Sequence, residues 1–298
     1  MDSIWSQTAD LPSFPQLEGN LKTDALVVGG GMAGLLCAYW LDRAGVNCAL
    51  VEADRLCGGV TENTTAKLTF QHGLIYARLL REFGLERTRL YLEAGRAALK
   101  RFRELCRDMD CDFEERDAYV YALESRRKLD RELEALERLG FPAEFARTPA
   151  LPMPTAGAVK FPKQAQFHPL KFAAALSKGL RIYEHTKALE LAPGQVVTNR
   201  GTVRAEHIIV TTHFPLLNKH GAYFLKLYQH RSYVLALANA PDVKGMYVDE
   251  GNTGLSFRNY GSLLLLGGGG HRTGNREAAG GSWKTSRSGT IPRQRLQP

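Results

Sequence analysis

Apolar and polar positions along the first fifty residues fall in a strand, turn, helix, strand order. Residues 25–28 form a short apolar, β-branched run, the pattern of a buried strand. Three glycines follow, and Leu35, Leu36, Tyr39 and Trp40 then recur at helical spacing. A second apolar run, Cys48–Val51, predicts a second strand. Further along, residues 85–108 have helical spacing, with Leu90, Ala94, Ala98 and Phe102 on one stripe. The stretch CDFEERDAYVYALE alternates like a strand or hairpin around Tyr119 and Tyr121. Ser125 can cap a helix whose Leu129, Leu133, Leu136 and Leu139 form a stripe ending at Gly140 and Pro142, and its charged side reads as a solvated face. Proline-rich TPALPMPTAG predicts a crossing between domains. RIYEHTKALEL and GQVVTNRGTVRAEHIIVTTHFP read as a strand, a short meander turning at residues 199–201, and a strand returning to Val210. YQHRSYVLALANA and GLSFRNYGSLLLLGG read as strands of a second sheet.

The first turn carries chemistry. Gly29, Gly31 and Gly34 make G-x-G-x-x-G between a predicted strand and a predicted helix, and the second strand ends in Glu52, eighteen residues after Gly34. Gly29 allows the tight turn, Gly31 lets a pyrophosphate approach the backbone, and Gly34 lets the helix pack closely on the strand. The helix N-terminus, with Ala33 in its first turn, faces the phosphates. Glu52, followed by Ala53, can accept hydrogen bonds from ribose hydroxyls and disfavours a 2′-phosphate. Small Ala38 and Gly45 fit the same unit. Three glycines alone are weak evidence; the coincidence of all these parts points to a dinucleotide site.

Composition changes this picture little. The 298 residues are 44% hydrophobic, ordinary for a globular chain, and hold no apolar run of membrane-spanning length. No membrane partner is expected, and the first residues lack the pattern of a secretion signal. Five cysteines (37, 48, 57, 106 and 111) form no CxxC pair, so free thiols in a cytoplasmic setting and no metal site are expected. The formal net charge of +8 is concentrated at one end. Residues 271–298 hold six Lys or Arg and one acid, a net of +5, which leaves +3 for the rest. No nucleic-acid partner is expected from so balanced a body, and no G-x-S-x-G elbow supports a hydrolase.

The stretches SIWSQTADLPSFPQLEGNLKTDALVVGGGMAG, GGVTENTTAKLTFQHGLIY, QAQFHPLKF, IIVTTHFP and LLLGGGGHRTG together resemble the FAD-dependent oxidoreductase superfamily of D-amino-acid oxidase, glycine oxidase and sarcosine oxidase. Within it they are similar to the amine or amino-acid oxidoreductases that often carry a C-terminal Rieske domain. The resemblance covers about residues 3–274. It implies an α/β chain, with a Rossmann-like FAD-binding domain interleaved with an α+β substrate domain. The expected segments are 1–84 and 161–215 for FAD, 85–160 and 216–274 for substrate, and 275–298 as a disordered basic tail. It implies FAD as cofactor, with Gly58, Gly59, Thr61, Thr64 and Thr65 near the pyrophosphate and ring edge. The backbone of Lys187 would read the adenine, and the chain at Thr211 and Thr212 would pass the dinucleotide. The implied reaction is hydride transfer from the C–N bond of a small amine or amino acid to flavin N5. Lys67 and His72 are candidates near the ring, and Arg231, Tyr233, Arg258 and Tyr260 are candidates on strands roofing the substrate, where an arginine could hold a carboxylate.

After Trp283 the apolar periodicity stops, and no Rieske pattern of Cys and His follows. The expectation is a chain whose C-terminal part is missing, which weakens the case for an active enzyme. The alternative is a non-catalytic dinucleotide-binding fragment completed by a partner chain that supplies the missing C-terminal segment.

Overall fold

The computed structural model describes residues 3–147, 150–216, 221–251 and 254–274. In chain order the elements are α1 (Ile4–Thr8), β1 (Leu21–Val28), α2 (Met32–Arg43), β2 (Cys48–Val51), β3 (Lys67–Leu68), α3 (Tyr76–Cys106) and β4 (Glu114–Ala122). Then come α4 (Arg127–Arg138), β5 (Glu144–Ala146), β6 (Gly157–Gln166), α5 (Pro169–Leu176), β7 (Ile182–Tyr183), β8 (Ala188–Ala192), β9 (Gln195–Thr198) and β10 (Gly201–Val210). The last elements among the described residues are α6 (Tyr223–Lys226), β11 (His230–Leu237), β12 (Met246–Asp249), β13 (Ser256–Tyr260) and β14 (Leu263–Arg272). The predicted basic tail, residues 275–298, lies outside the described residues.

The chain forms two compact units. The first comprises Met1–Ala66, Cys106–Asp112 and Phe167–Leu227; the second comprises Lys67–Leu105, Phe113–Gln166 and the chain from Tyr228 on. The first crossing therefore falls at Ala66/Lys67 and not after residue 84. Lys67 and Leu68 pair with Gln166 and Ala165 in the second unit's sheet, which also carries that unit on to Gln166 and past residue 160. The return segment at Cys106–Asp112 was not foreseen; Cys111 accepts the His168 N–H at 2.8 Å.

The first unit is built on a six-stranded sheet in the order β7-β2-β1-β10-β9-β8. β1 runs parallel to both β2 and β10, with Val28 level with Val51 on one side and Val210 on the other. Apolar runs flanked by helix and meander are buried on both faces, as parallel strands require. Leu26, Val28, Ala49, Val51, Val196 and Val203 form this core. The meander from β8 through β10 is antiparallel, turning where the sequence predicts. Trp5 of α1 is buried, donates its Nε1–H to the Thr64 carbonyl at 2.8 Å, and meets His168 edge-on at 4.9 Å. His168 Nδ1 accepts the Lys171 N–H and so caps α5, whose first position is Pro169.

The second unit is an α+β assembly on an eight-stranded sheet, ordered β11-β14-β13-β12-β4-β6-β3 with β5 paired to β6. The described part of TPALPMPTAG, residues 150–156, precedes β6 within this unit and does not mark a crossing between units; residues 148 and 149 lie outside the described residues. In α3 the chain breaks helical geometry at Gly84 (φ 75°), a conformation glycine adopts without penalty. The buried side of α3 carries Thr88, Leu92 and Leu99, while Leu90, Ala94 and Ala98 are exposed and Phe102 is half-buried. The expected stripe is thus displaced, because Gly95 lies against Phe70: a Cβ there would stand 2.7 Å from the Phe70 Cβ. In α4, Leu129 and Leu136 are buried as expected, Ser125 accepts the Arg127 N–H at 3.3 Å, and Gly140 has φ 72°. Its polar face is not simply solvated. Glu132 is fully buried and accepts the Tyr76 and Ala77 N–H groups at 2.8 and 2.9 Å, capping α3 from a neighbouring helix. Burial pushes its carboxyl up, against the pull of those N–H groups.

Candidate functional sites

The glycine turn of the first unit sits where β1, β2 and β10 end together. Gly29 has φ 111°, and a Cβ there would stand 2.8 Å from the Thr211 carbonyl oxygen. A Cβ on Gly34 would overlap the Gly29 carbonyl oxygen and stand 2.7 Å from Thr211 Oγ1. Thr211 fastens the site: its N–H donates to the Val28 carbonyl at 2.8 Å, and its hydroxyl donates to the Gly29 carbonyl at 2.9 Å. Thr212 donates its hydroxyl to the Phe214 carbonyl at 2.8 Å. The glycines therefore allow close approach of helix α2, strand β1 and the end of β10.

Gly31 is the N-cap of α2 and provides no side-chain cap. A Cβ there would have Thr61 Oγ1, at 3.8 Å, as its nearest neighbour. Thr61 accepts the Met32 N–H at 3.1 Å; the first-turn N–H groups of Ala33 and Gly34 have no acceptor one turn back. No acidic side chain occupies that turn, so the helix end is electrostatically open to an anion. The segment bearing Gly58 and Gly59 is held beside the turn by the Cys57 N–H, which donates to the Gly30 carbonyl at 2.9 Å. At Gly59 a Cβ would meet nothing within 4 Å. Thr64 Oγ1 accepts the Ala66 N–H at 3.1 Å, and Thr65 follows half-buried.

Glu52, at the end of β2, is half-buried. It accepts the Gly30 N–H at 2.5 Å and the Asp54 N–H at 3.0 Å, which leaves lone pairs for a ribose. Ala53 beside it is exposed. Lys187 is tied to Asn199 through its backbone. Its N–H donates to Asn199 Oδ1 at 2.8 Å and its carbonyl accepts the Asn199 N–H at 3.1 Å. A base reading this backbone would use the carbonyl's second lone pair or displace Asn199. Sequence reasoning missed Glu184. Buried at 4% exposure, it accepts the Leu56 N–H at 2.6 Å and the Phe14 N–H at 3.0 Å, pinning the loop after Glu52. In the sequence it follows Ile182 and Tyr183 and is followed by His185, a setting that gives no signal of burial.

The second unit holds a cavity of about 200 Å³ lined by Lys67, Thr69, Gln71, His72 and Gly73, with Ala118, Val120, Met246 and Val248. Alternation explains the lining: in KLTFQ, Leu68 and Phe70 join the apolar core and the polar positions 67, 69 and 71 line the cavity. Lys67 is not a surface lysine. It is half-buried, and its ammonium donates to the Tyr247 carbonyl at 3.3 Å. Burial, with the Arg258 guanidinium adding to it, pulls that ammonium down to about 7. Arg258 is itself 1% exposed, and burial pulls its guanidinium down to about 10 against the favourable charge of Glu114. The four strand candidates do not gather at this cavity. Arg258 lies over Tyr260 at 5.9 Å and within the electrostatic reach of Lys67. Arg231 is exposed on the edge strand β11, and Tyr233 stacks on His271. His72 lines the cavity but is exposed. A larger cleft, of about 660 Å³ beside α3, carries none of the predicted site residues.

Comparison with known proteins agrees with this architecture. The profile of the DAO family, described as FAD dependent oxidoreductase, matches residues 24–294. The Rieske 2Fe-2S iron–sulfur protein YhfW of Bacillus subtilis (strain 168) is 35% identical over 304 residues, 96% of this chain and 60% of that protein. Gamma-glutamylputrescine oxidoreductase of Escherichia coli (strain K12) is 25% identical over 217 residues, 66% of this chain and 50% of that protein. The chain thus spans about half to three-fifths of the length of these relatives. Among solved structures, glycine oxidase from Geobacillus kaustophilus shares the fold with a TM-score of 0.61 and 20% identity, over 85% of this chain and 72% of that one. L-proline dehydrogenase from P. horikoshii does so with a TM-score of 0.66 and 13% identity, over 91% and 77%. No helix among the described residues is long and apolar enough to cross a membrane.

Proposed function

The chain belongs to the DAO family of FAD-dependent oxidoreductases, and from that premise we propose that it oxidises the C–N bond of a small amine or amino acid. The observation that carries the reading is the glycine turn, where the Thr211 backbone and the close approach of Gly29 and Gly34 leave no room for a side chain at either glycine, and where the first turn of α2 bears no acidic side chain. That cradle fits a dinucleotide. The N–H groups of Ala33 and Gly34 would hold the pyrophosphate, with Thr61 and Gly59 beside it, and Glu52 would accept from the ribose. The chemistry FAD supplies when bound is hydride acceptance at flavin N5 from the substrate carbon. The chain's own part is to bind and orient the substrate and to manage its proton. The cavity of the second unit, with Lys67, Thr69, Gln71 and His72 over an apolar floor, is the place in this chain suited to that task. Five free cysteines fit a cytoplasmic protein.

A second reading, a non-catalytic dinucleotide-binding fragment completed by a partner chain, is supported by β11. It is an edge of the eight-stranded sheet and exposes Val234, the kind of edge that accepts another strand. The visible spectrum of the purified chain, followed by anaerobic bleaching with a panel of amines and amino acids, separates these. Flavin bands that bleach support an enzyme. Flavin bands that no substrate bleaches favour the fragment, and a chain that takes up no FAD overturns both.

A further inference from the structure

The return segment Cys106–Asp112 of the first unit carries two of the five cysteines. Both are thiols, and both are buried, Cys106 at 5% and Cys111 at 1% exposure. Cys106 is the last residue of α3, and its carbonyl accepts the Met109 N–H at 3.3 Å, which turns the chain back on itself. The turn brings the two side chains together, and the Cys106 thiol is hydrogen-bonded to Cys111. Cys111 is held from the other side by α5. Its carbonyl accepts the His168 N–H at 2.8 Å, and the Lys171 ammonium bonds Asp112 at 2.9 Å and lies 3.9 Å from Asp110. Five positions apart in the sequence, the two sulfurs are thus held in contact.

The pair is asymmetric. A thiolate at Cys106 would stand at the C-terminal end of α3, where the last carbonyls disfavour negative charge. The hydrogen bond to Cys111, with burial, pushes the Cys106 thiol up in the same sense. Cys106 therefore keeps its proton, and Cys111 is the sulfur that ionises. The other cysteines have different neighbours: Cys57 is hydrogen-bonded to Thr61, and Cys48 donates to the Ala49 carbonyl at 3.7 Å. Between Cys106 and Cys111 the residues Arg107, Asp108 and Asp110 are exposed. Local opening of this short turn is enough to admit a small oxidant to the sulfurs.

We propose that Cys106 and Cys111 are a redox pair, converted by a hydroperoxide into an intramolecular disulfide and returned to thiols by a dithiol reductant. With hydrogen peroxide the Cys111 thiolate attacks one peroxide oxygen; an S–O bond forms as the O–O bond breaks. The departing hydroxide takes up the proton that Cys111 gave up and becomes water. Cys106 then attacks the Cys111 sulfenic sulfur; the S–S bond forms, the S–O bond breaks, and the Cys106 proton leaves with that hydroxide as a second water. Two thiols are oxidised by two electrons and one peroxide is reduced by two. Contact between the sulfurs makes the second step faster than further oxidation of Cys111 to the sulfinic acid. The disulfide ties the end of α3 to the chain held at the start of α5.

Arg107 lies between the two cysteines, so trypsin separates them, releasing residues 104–107 and 108–116. The full chain supplied with FAD is reduced, freed of reductant, treated with hydrogen peroxide, alkylated with iodoacetamide and digested. The two peptides should emerge joined and without alkylation, while Cys37, Cys48 and Cys57 remain alkylated. Dithiothreitol added before alkylation should return the two peptides separate and alkylated. In Cys106→Ser, dimedone should capture Cys111 as the sulfenic acid at least about tenfold faster than it captures Cys106 in Cys111→Ser. Peptides that stay separate and alkylated after peroxide, a disulfide that forms first at another cysteine, or sulfinic acid in place of the disulfide would each overturn the proposal. The unaltered chain decides all three even if a variant does not fold. Equal dimedone capture in the two variants would overturn the order of attack.

Discussion

Replacing Gly34 by alanine tests the dinucleotide turn at the point where the least space exists. Residue 34 lies in the first turn of α2, and its backbone is not in the left-handed region, so alanine carries no conformational penalty there. It even gains about 0.5–1 kcal/mol in helix propensity. The cost is steric. The added methyl would overlap the Gly29 carbonyl oxygen and stand 2.7 Å from Thr211 Oγ1. The first of these is backbone and cannot rotate away, so α2 must lift off β1. Overpacking of this kind costs about 1–3 kcal/mol, and the net loss after the propensity gain is on the order of 1–2 kcal/mol. Because the displaced part is the anion-binding helix end, FAD affinity should drop at least about tenfold, the equivalent of about 1.4 kcal/mol. Gly45→Ala is the matched comparison. It has φ 77° and nothing within 4 Å of an added Cβ, so it should lose roughly 1–2 kcal/mol through backbone strain alone and keep its FAD affinity. Urea denaturation gives the stabilities and flavin fluorescence quenching gives the affinities. If Gly34→Ala bound FAD as the unaltered chain does, or Gly45→Ala lost affinity equally, the cradle argument would fail.

Glu132→Ala leaves two N–H groups of α3 without an acceptor and should cost about 2–4 kcal/mol; Glu132→Gln, which keeps one acceptor, should cost less, and urea midpoints would rank them. Lys67 titrates near 7 in the folded chain against 10.5 as its ordinary value. Between those pH values the unfolded chain holds a proton that the folded chain has shed, so stability rises with pH by up to about 1.4 kcal/mol per unit. Below 7 both states are protonated and the slope vanishes. Lys67→Met should remove the slope, and denaturation between pH 6 and 10 would show its persistence if the assignment were wrong. On α3, Leu99→Ala should cost about 2–5 kcal/mol, whereas Ala98→Leu should change stability by less than about 0.5 kcal/mol; reversed costs would restore the stripe expected from the sequence.

The strand, glycine turn and helix from β1 to Glu52 were legible in the sequence because each part is a local requirement. A buried strand needs an apolar run, a tight turn needs glycine, and a close helix needs Gly34. The meander ending at Val210 was legible for the same reason. Tertiary structure alone brought Thr211, 177 residues beyond Gly34 in the chain, against the glycines, and set Glu184 to pin the loop after Glu52. Polar residues that hold distant backbone carry no periodicity, so their partners cannot be read in advance. Helix α3 shows the limit within one element. Several faces of its sequence carry apolar residues, and which one is buried was decided by Phe70 meeting Gly95. Lys67 shows the limit for chemistry: lysine in sequence reads as a solvated charge, and only the folding of β3 against β6 and the approach of Arg258 remove it from water and set the proton it can hold.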